Sequence, residues 1–528
     1  MASKPVEYPG LISVPRLSTL VASLAVTLVA GTNYAFSAYA PQLGSRLRIT
    51  HTHLNVIGLA GNVGVFSSGP IWGRIADLHG PRLPLASAFS LLLAGYSGIR
   101  FIYDAGVPAS STAIPSFSFC ALVLCSFMTG VGSNAGLNSA VNSTTKTFPD
   151  KARATATGVV LSGFGLSAFL FSTTSRVWFA GNPSSFILLL SLAPSIPMMV
   201  GYFLVRPIPL PPAERPGGAQ DSRHLWHKVE AQDHQDGETR ALLPSPRSHP
   251  MLSPPVSLSR RAAVGQGLPP NVYGRKLWLS KDFWLLFTIL SLLSGTGLMY
   301  INNVGSISQA LYAKSTTAYK PVEAARWQAD QVSTISVLNC MGRIVIGLIT
   351  DYGKHHLGLP RSYCFVLVSA VFLASQVMVA NIDDIHNLWL ASATLGLAHG
   401  SAFSLLAPVC LDWFGMPHFS ENSGYLALSP IFAGNLFSFV FGRTLDSNSA
   451  STGALLRPQT TGEGRCVLGR QCYVEALYLT MGACFVALVL SFWAGWRDRM
   501  LMTTRRRLRN LKLEVDSSEN LVNRPVSC

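Results

Sequence analysis

Long apolar runs separated by short polar segments dominate the chain. About twelve of these runs are roughly twenty residues long, the length that crosses the hydrocarbon core of a bilayer as an α-helix. They cover residues 17–39, 54–72, 83–102, 117–139, 156–178, 186–205, 283–304, 332–349, 363–380, 388–411, 425–441 and 476–496. Runs of this length cannot be strands of a membrane barrel, because lipid cannot satisfy an open backbone. The pattern therefore predicts an all-α membrane protein with twelve transmembrane helices.

A polar segment, residues 206–281, divides the runs into two sets of six. It is rich in proline and scattered charge and has almost no apolar periodicity, so it cannot bury enough surface to fold alone. We therefore expect two six-helix bundles, residues 17–205 and 282–497, joined by a disordered linker. Residues 1–16 and a basic tail, residues 498–528, flank the bundles.

The composition supports a membrane protein and accounts for its positive charge. Of the 528 residues, 49% are hydrophobic and 12% are charged, a balance that soluble domains seldom show. A net charge of +15 would suggest a nucleic-acid partner in a soluble chain. If the amino terminus is cytosolic, however, the linker, the tail and the loops after runs two and eight hold most of the Lys and Arg residues, as the positive-inside rule requires. We expect cytosolic termini, a cytosolic linker and no nucleic-acid partner.

A short motif follows both the second and the eighth run. Its residues are Gly73, Arg74, Asp77, Gly80 and Arg82 in the first copy and Asp351 in the second, where the later glycine comes one residue early. Such repetition in two halves of a membrane protein is typical of a duplicated transporter. A glycine lets helices approach closely, and an aspartate can end its helix near a neighbouring helix terminus, while the arginines offer partners for a carboxylate or for lipid head groups. We expect both copies to gate the protein by latching one conformation.

The chain as a whole resembles the major facilitator superfamily: six spans, a long cytosolic linker, then six spans. Residues 73–82 are similar to the signature loop of that superfamily. Residues 297–306, residues 399–403 and the loop that ends at Cys472 and Tyr473 look like the fungal monocarboxylate-transporter homologues and plant nodulin-like transporters. The resemblance implies a monomeric secondary transporter that moves a small solute by alternating access, with an outward-facing form held by the signature loop.

Polar side chains inside apolar spans are costly, and they mark candidates for a substrate site near the bilayer midplane. These candidates are Asn33 and Tyr34 in span one, Asn134 and Asn138 in span four, and Tyr300, Asn302 and Asn303 in span seven. A single asparagine is more often a hydrogen-bonding contact between helices. Their occurrence in three spans favours a polar cavity.

Two titratable groups stand out among the candidates. Arg343 in span eight resembles the arginine with which animal monocarboxylate transporters hold a carboxylate, and a guanidinium suits a bidentate pair. The animal pattern has an aspartate four residues earlier and a lysine in span one, whereas this chain has Asn339 and no such lysine. The alternative is an arginine that reaches the cytosolic interface. His399 in span ten can carry a proton, although a neutral, hydrogen-bonded core histidine is the more common arrangement.

Two further features lie outside the spans. Cys466 and Cys472 occupy a polar loop on the non-cytosolic face, where an oxidising lumen would permit a disulfide. In the linker, Glu238, Leu242 and Leu243 fit the acidic dileucine pattern that sorting adaptors read. The fungal group that the chain resembles is associated with the vacuolar membrane, so we expect a multi-pass vacuolar protein, with the plasma membrane as the alternative.

The predicted function is therefore secondary transport of a small solute. The candidate solutes are a monocarboxylate or a related metabolite, and the candidate coupling ion is the proton. Membrane lipids are the expected neighbours of the helices. We expect no enzyme, cofactor or metal, because the sequence has no nucleotide loop, metal cluster or Ser-His-Asp arrangement. Two alternatives remain: a non-transporting sensor of the same fold, and a drug/proton antiporter, which is disfavoured because span four lacks the marker arginine.

Overall fold

The computed structural model describes residues 13–49, 51–107, 114–179, 182–210, 270–316, 320–455 and 468–522. Within these ranges the chain forms helices and no strand. We number the membrane spans one to twelve in chain order. The predicted sorting residues Glu238, Leu242 and Leu243, and also Cys466, lie outside the described residues. Cys472 is buried and disulfide-bonded, while its predicted pairing with Cys466 stays a prediction.

The first half of the chain contains spans one to six. Span one begins as the α-helix Val14–Ala30 and continues as the 3₁₀-helix Gly31–Ala38, after which a short helix, Ala40–Leu47, follows. The other helices are His51–Ser67 and Gly69–His79 (span two), Arg82–Ala105 (span three), Ser116–Thr147 (span four), Arg153–Trp178 (span five) and Pro183–Leu204 (span six).

The second half begins with a short helix and contains spans seven to twelve. The helices are Gly274–Trp278, then Lys281–Ser315 (span seven), Pro321–His355 (span eight), Cys364–Asn381 (span nine), Leu388–Phe414 (span ten), Phe419–Leu426 and Ser429–Leu455 (span eleven) and Val474–Val522 (span twelve).

Within the described ranges, eleven helical stretches are long and apolar enough to cross a membrane. Span two is the exception, because a break at Ser68 leaves helices of 17 and 11 residues. Pro70 has no N–H to donate to the Phe66 carbonyl, so the hydrogen-bond ladder is interrupted at this point. The predicted all-α membrane fold is confirmed, and the predicted second span corresponds to a pair of consecutive helices.

Buried apolar side chains form two separate cores, one in each half. The first contains Val26, Leu92 and Leu190, and the second contains Leu286 and Phe372. In the first half, span three packs against spans four and six; in the second half, span seven packs against span eleven and span nine against span twelve. Large apolar side chains remain exposed on the outer helix faces, as expected for surfaces that contact lipid.

The described flanks of the linker lie at one end of the two bundles. The Ile208 amide donates to Thr147 Oγ1 at the end of span four, at 3.1 Å. The Val272 amide donates to the Phe414 carbonyl at the end of span ten, at 3.0 Å. We call this end of the molecule the linker-side end. The charge pattern of the sequence predicts that this end faces the cytosol.

Candidate functional site

The two halves meet along two pairs of spans that occupy matching places in the duplication: span two packs against span eleven, and span five against span eight. Small residues permit this contact. A Cβ atom on Gly73 would lie 2.1 Å from the Ser420 carbonyl oxygen, and one on Gly347 would lie 2.7 Å from the Ala154 carbonyl oxygen. Both distances are shorter than real Cβ contacts, so a larger residue at either position would push the backbones apart.

The first aspartate of the repeated motif bridges the halves. Asp77 Oδ2 accepts hydrogen bonds from the Ser420 amide at 2.7 Å and the Glu421 amide at 3.0 Å. On the other oxygen, Oδ1, it accepts from Asn142 at 2.6 Å and from Lys146 at 3.2 Å. We call this contact between Asp77 and the start of helix Phe419–Leu426 the first clasp.

The second aspartate makes the corresponding contact in the opposite direction. Asp351 Oδ2 accepts from the amide and the hydroxyl of Thr155, each at 2.8 Å, and Oδ1 accepts from the Ala154 amide at 3.3 Å. Arg361 Nη2 lies 3.1 Å from the same Oδ1. We call this contact between Asp351 and the start of helix Arg153–Trp178 the second clasp.

The clasps share a physical basis. Each aspartate accepts from the second and third amides of a helix in the other half, where backbone N–H groups have no partner within the helix and the dipole favours an anion. The N-cap residues of those helices, His418 and Ala152, provide no side-chain cap. Separation of the halves would thus break these hydrogen bonds between carboxylates and amides, at about 1.5–3 kcal/mol for each. Each aspartate would keep the partners within its own half, which are Asn142 and Lys146 for Asp77 and Arg361 for Asp351.

An ion cluster surrounds the second clasp. Arg361, buried, lies 3.1 Å from carboxylate oxygens of both Asp150 and Asp412. Lys354 lies 2.8 Å from Asp150 and 3.2 Å from Asp412. Partial burial raises the pKa of Asp150, but the charges of Arg361 and Lys354 outweigh burial and hold that pKa well below its usual range. The cluster joins the halves, since Asp150 belongs to the first half and Arg361, Lys354 and Asp412 belong to the second.

The other motif residues have different surroundings. Arg74 and Arg82 are exposed, and among the described residues Lys146 is the cation that pairs with Asp77. Gly80 ends the second helix of span two with φ of +80°, a conformation that favours glycine, and its amide donates to the Ala76 carbonyl.

Arg343 lies deep in the interface between the halves. Its Nη1 donates to the Leu161 carbonyl of span five at 3.0 Å, and its Nε donates to Asn339 Oδ1 at 3.0 Å. The guanidinium lies over the rings of Phe164 and Phe403, at 5.6 Å and 6.0 Å. Its side chain points back along span eight toward Asn339 and not toward the linker-side interface. Within the described part of the chain, no carboxylate is within ion-pair distance of it.

His399 lies near Arg343, and both side chains contact Phe403. The imidazole is buried, and its Nδ1 has no hydrogen-bond partner among the described residues. The backbone of span seven is tight against the ring, because a Cβ atom on Gly297 would lie 2.2 Å from Nδ1. Nδ1 therefore lacks the hydrogen bond expected of the more common arrangement, a neutral core histidine, and the proton-carrying role of His399 stays a prediction.

The candidates in span one lie on its 3₁₀ stretch. Tyr34 packs edge-on against Phe164 at 5.6 Å, which places it beside the Arg343 guanidinium. Asn33 accepts from Thr129 at 2.7 Å and donates to the Gly61 carbonyl at 3.4 Å, so it joins spans one, two and four. A 3₁₀ stretch inside a span often marks a functional hinge.

The candidates in span four belong to a hydrogen-bond network inside the first half. Asn134 donates to Ser68 Oγ at 3.1 Å, at the break in span two, and Asn138 donates to Asn134 Oδ1 at 2.9 Å. Asn142, one turn further, reaches Asp77. The three asparagines therefore lie along one side of span four, from the break in span two to the first clasp.

The candidates in span seven have separate environments. Tyr300 is fully buried, and its hydroxyl is 2.9 Å from Ser392 Oγ, which in turn donates to Gln331. Asn303 donates to the Met299 carbonyl of its own helix at 2.7 Å, and Asn302 is exposed. The structure thus gathers Tyr34, Arg343 and His399 into one place and distributes the other candidates among networks within each half.

Three residues of this region were not singled out from the sequence: Phe164 packs on Arg343, and Arg361 and Asp150 link the halves. Phe403 and Asn339, which the sequence analysis named only within the family resemblance, also contact Arg343. Aromatic residues are frequent in any apolar span and gave no signal. Arg361 had one weak signal, because it follows the second copy of the repeated motif.

Comparison with known proteins gives a consistent result. The sequence model of the Major Facilitator Superfamily matches residues 22–429. An uncharacterized membrane protein of Saccharomyces cerevisiae is 25% identical, over 88% of this chain and 92% of its own length. Proteins named as probable transporter MCH1 are similar too. That of Wickerhamomyces anomalus is 24% identical, over 82% of this chain and 80% of its own length. That of Neurospora crassa is 24% identical, over 93% of this chain and 91% of its own length.

Solved structures share the fold at low sequence identity. The proton:xylose symporter XylE superposes with a TM-score of 0.56 at 13% identity, over 90% of this chain and 94% of its own. A bacterial homologue of the iron transporter ferroportin, in an outward-facing state, superposes with a TM-score of 0.55 at 16% identity, over 91% of this chain and 99% of its own. These likenesses concern the architecture alone.

Proposed function

Because this chain belongs to the major facilitator superfamily, a family of membrane transporters, we propose that it moves a small carboxylate-bearing solute across a membrane. One observation carries the proposal: Arg343 is a buried cation between the halves, and no described carboxylate pairs with it. A buried charge without a counter-ion is costly, and a bound anion would offset that cost. A planar guanidinium held by Asn339 and two aromatic rings is suited to a carboxylate.

The clasps support alternating access. The contacts between the halves at the linker-side end include two aspartates on two helix starts and the ion cluster around Arg361, an arrangement that can break and re-form as a unit. Substrate binding at Arg343 would connect to this end through span eight, which also holds Asp351. In the clasped form the solute site is open toward the face opposite the linker. Release of the clasps opens the site toward the cytosolic side. A single chain carries out this cycle.

Proton coupling is assigned to His399. It contacts the same phenylalanine as Arg343, and its Nδ1 has no described partner. A neutral imidazole that gains a proton while an anionic solute is bound would balance the charge of the loaded site. The conformational cycle would then carry solute and proton together.

The direct test is uptake of labelled solutes into proteoliposomes, with monocarboxylates beside neutral metabolites, and with or without a pH gradient. The proposal predicts gradient-dependent uptake of carboxylates only. Uptake of neutral solutes alone would exclude the anion site, and a lack of flux for every solute would favour a sensor of the same fold.

Arg343→Lys should lower the affinity for carboxylates while the protein still folds. A lysine keeps the charge but loses the rigid fork and the ring contacts. The expected loss is about 1.5–3 kcal/mol, or roughly tenfold to a hundredfold in KM. Arg100→Lys is the matched control, because Arg100 is a partly exposed arginine of span three paired with Asp104. Equal KM values for the two variants would remove Arg343 from the site.

The proposed location is the vacuolar membrane, supported by the pattern Glu238, Leu242 and Leu243 in the linker. A fluorescent fusion of the protein should be found at the vacuolar membrane, because a sorting adaptor would bind this signal. Replacement of both leucines by alanine should redirect the fusion to the plasma membrane. An unchanged location would mean that this pattern is not the sorting signal.

A further inference from the structure

A groove lies on the outer surface of the second half, where the last turns of span eight meet the first turns of span nine. Its volume is about 540 Å³, within the range of sites that bind small molecules. Most of its lining is apolar. Leu348, Ile349 and Leu367 line it with 52%, 40% and 48% of their surfaces exposed, so the groove is open toward the surroundings of the bundle.

The groove lies at the linker-side end of spans eight and nine. The helix of span eight ends at His355, and the apolar stretch of span nine begins at Arg361. Tyr352 and Tyr363, which also line the groove, belong to the residue type that is enriched at membrane–water interfaces. A molecule in the groove would therefore have its apolar part among acyl chains and its polar part at the level of the head groups.

A basic side chain connects the groove with the interface between the halves. Lys354 lines the groove and also a smaller cavity of about 200 Å³ behind it, beside Arg361 and Asp412. Its Nζ is 2.8 Å from Asp150 Oδ2, across the interface, and 20% of the side chain is exposed. At the edge of the groove, the exposed His356 ring stacks on Tyr352 at 4.7 Å. Lys354 is the charged side chain among the described residues that line the groove.

We propose that the groove binds an anionic phospholipid, whose acyl chain lies along Leu348, Ile349 and Leu367 and whose phosphate contacts Lys354. A lysine ammonium has three donors, and two of them already reach Asp150 and Asp412, so one remains for a phosphate. The negative charge of the phosphate draws the ammonium away from Asp150, which lengthens the contact across the interface. The lipid thereby loosens the second clasp, a regulation that goes beyond transport itself.

Native mass spectrometry of the full chain measures the binding. The protein is titrated with phosphatidylserine or phosphatidylcholine. Leu367→Trp fills the groove, and its matched control is Leu479→Trp, at a similarly exposed apolar position of span twelve. We expect the wild type and the control to retain a phosphatidylserine that Leu367→Trp loses. Equal retention by all three proteins would overturn the proposal.

Lys354→Gln tests the charge independently of the shape. Phosphatidylserine should bind roughly fivefold more weakly, the factor expected for one basic residue near an anionic membrane surface. Phosphatidylcholine, whose choline cation offsets the charge of its phosphate, should lose less affinity. Equal loss for both lipids would show that the net charge of the head group does not determine binding. Competition by soluble glycerophosphoserine at the same concentration would overturn the role of the acyl chain.

Hydrogen exchange measures the coupling to the interface. The amides of Ala154 and Thr155 donate to Asp351 in the second clasp, so their exchange reports its opening. Phosphatidylserine should accelerate their exchange several-fold in the wild type and in Leu479→Trp, but not in Leu367→Trp. Exchange that does not respond to the lipid in the wild type would overturn the regulation.

Discussion

At the scale of residues, few side chains define the candidate transport site. Arg343 has a fixed position because four separate groups contact its guanidinium: an amide oxygen, a backbone carbonyl and two aromatic rings. His399 is fixed from the other side by the backbone of Gly297. A site made in this way depends on small residues as much as on charged ones.

His399→Gln should abolish the pH dependence of uptake, because the amide cannot take up a proton. Gly297→Ala should alter the same pH profile, because its methyl group would displace the imidazole ring by steric contact. The control is Gly442→Ala, where an added methyl meets nothing within 4 Å. The measurement is uptake across a series of imposed pH gradients. A wild-type profile in His399→Gln would leave the ring as part of the core.

At the scale of elements, helix starts in one half are capped by aspartates from the other half. The two clasps use equivalent amides, the second and third of each helix, although their surroundings differ. Lys146 accompanies Asp77, whereas Arg361 accompanies Asp351 within a larger ion cluster. The arrangement makes the start of spans five and eleven depend on closure of the molecule.

Replacement of either clasp aspartate should open both clasps, because they close in one concerted movement of the halves. Asp77→Asn and Asp351→Asn should each accelerate amide exchange at Thr155 and Ser420 by roughly tenfold to a hundredfold, the equivalent of about 1.5–3 kcal/mol. Asp383→Asn, which removes an exposed carboxylate paired with Lys314 at the other end, should have no effect. Acceleration restricted to the substituted clasp would show that the clasps act independently.

At the scale of the whole molecule, charge holds the linker-side end closed in a pH-dependent way. The pKa of Asp150 is lowered in the folded protein, since the charges of Arg361 and Lys354 outweigh the opposing effect of burial. A carboxyl group with a lowered pKa stabilises the folded state above its unfolded pKa, about 3.9, and the contribution is lost as the pH falls below that value.

The difference in thermal stability between the wild type and Asp150→Asn should therefore shrink as the pH is lowered from about 5 to about 3. Thermal unfolding in detergent at several pH values measures it. Asp104→Asn, in an exposed ion pair with Arg100, is the control and should show a smaller difference throughout. A difference in thermal stability that stays constant over this pH range would contradict the lowered pKa of Asp150 in the folded protein.

Periodicity and composition alone determined the fold class, because apolar runs of bilayer length can only be helices in lipid. Repetition of the Gly-x-x-x-Asp motif likewise indicated duplication and two gating aspartates. The break in span two was not predicted, although Pro70 provided a local signal, since hydropathy does not register a lost backbone hydrogen bond.

Only the tertiary structure decided what the polar residues do. The sequence does not reveal that Asp77 meets Ser420, 343 positions later, or that Arg343 points toward Asn339 and the Leu161 carbonyl. Such partners are fixed by the packing of helices that are distant in the chain, and packing depends on small residues such as Gly73 at the contact. Asn134 shows the same limit: its spacing from Asn138 places both on one helix face, but the partner of Asn134, Ser68, belongs to the neighbouring helix.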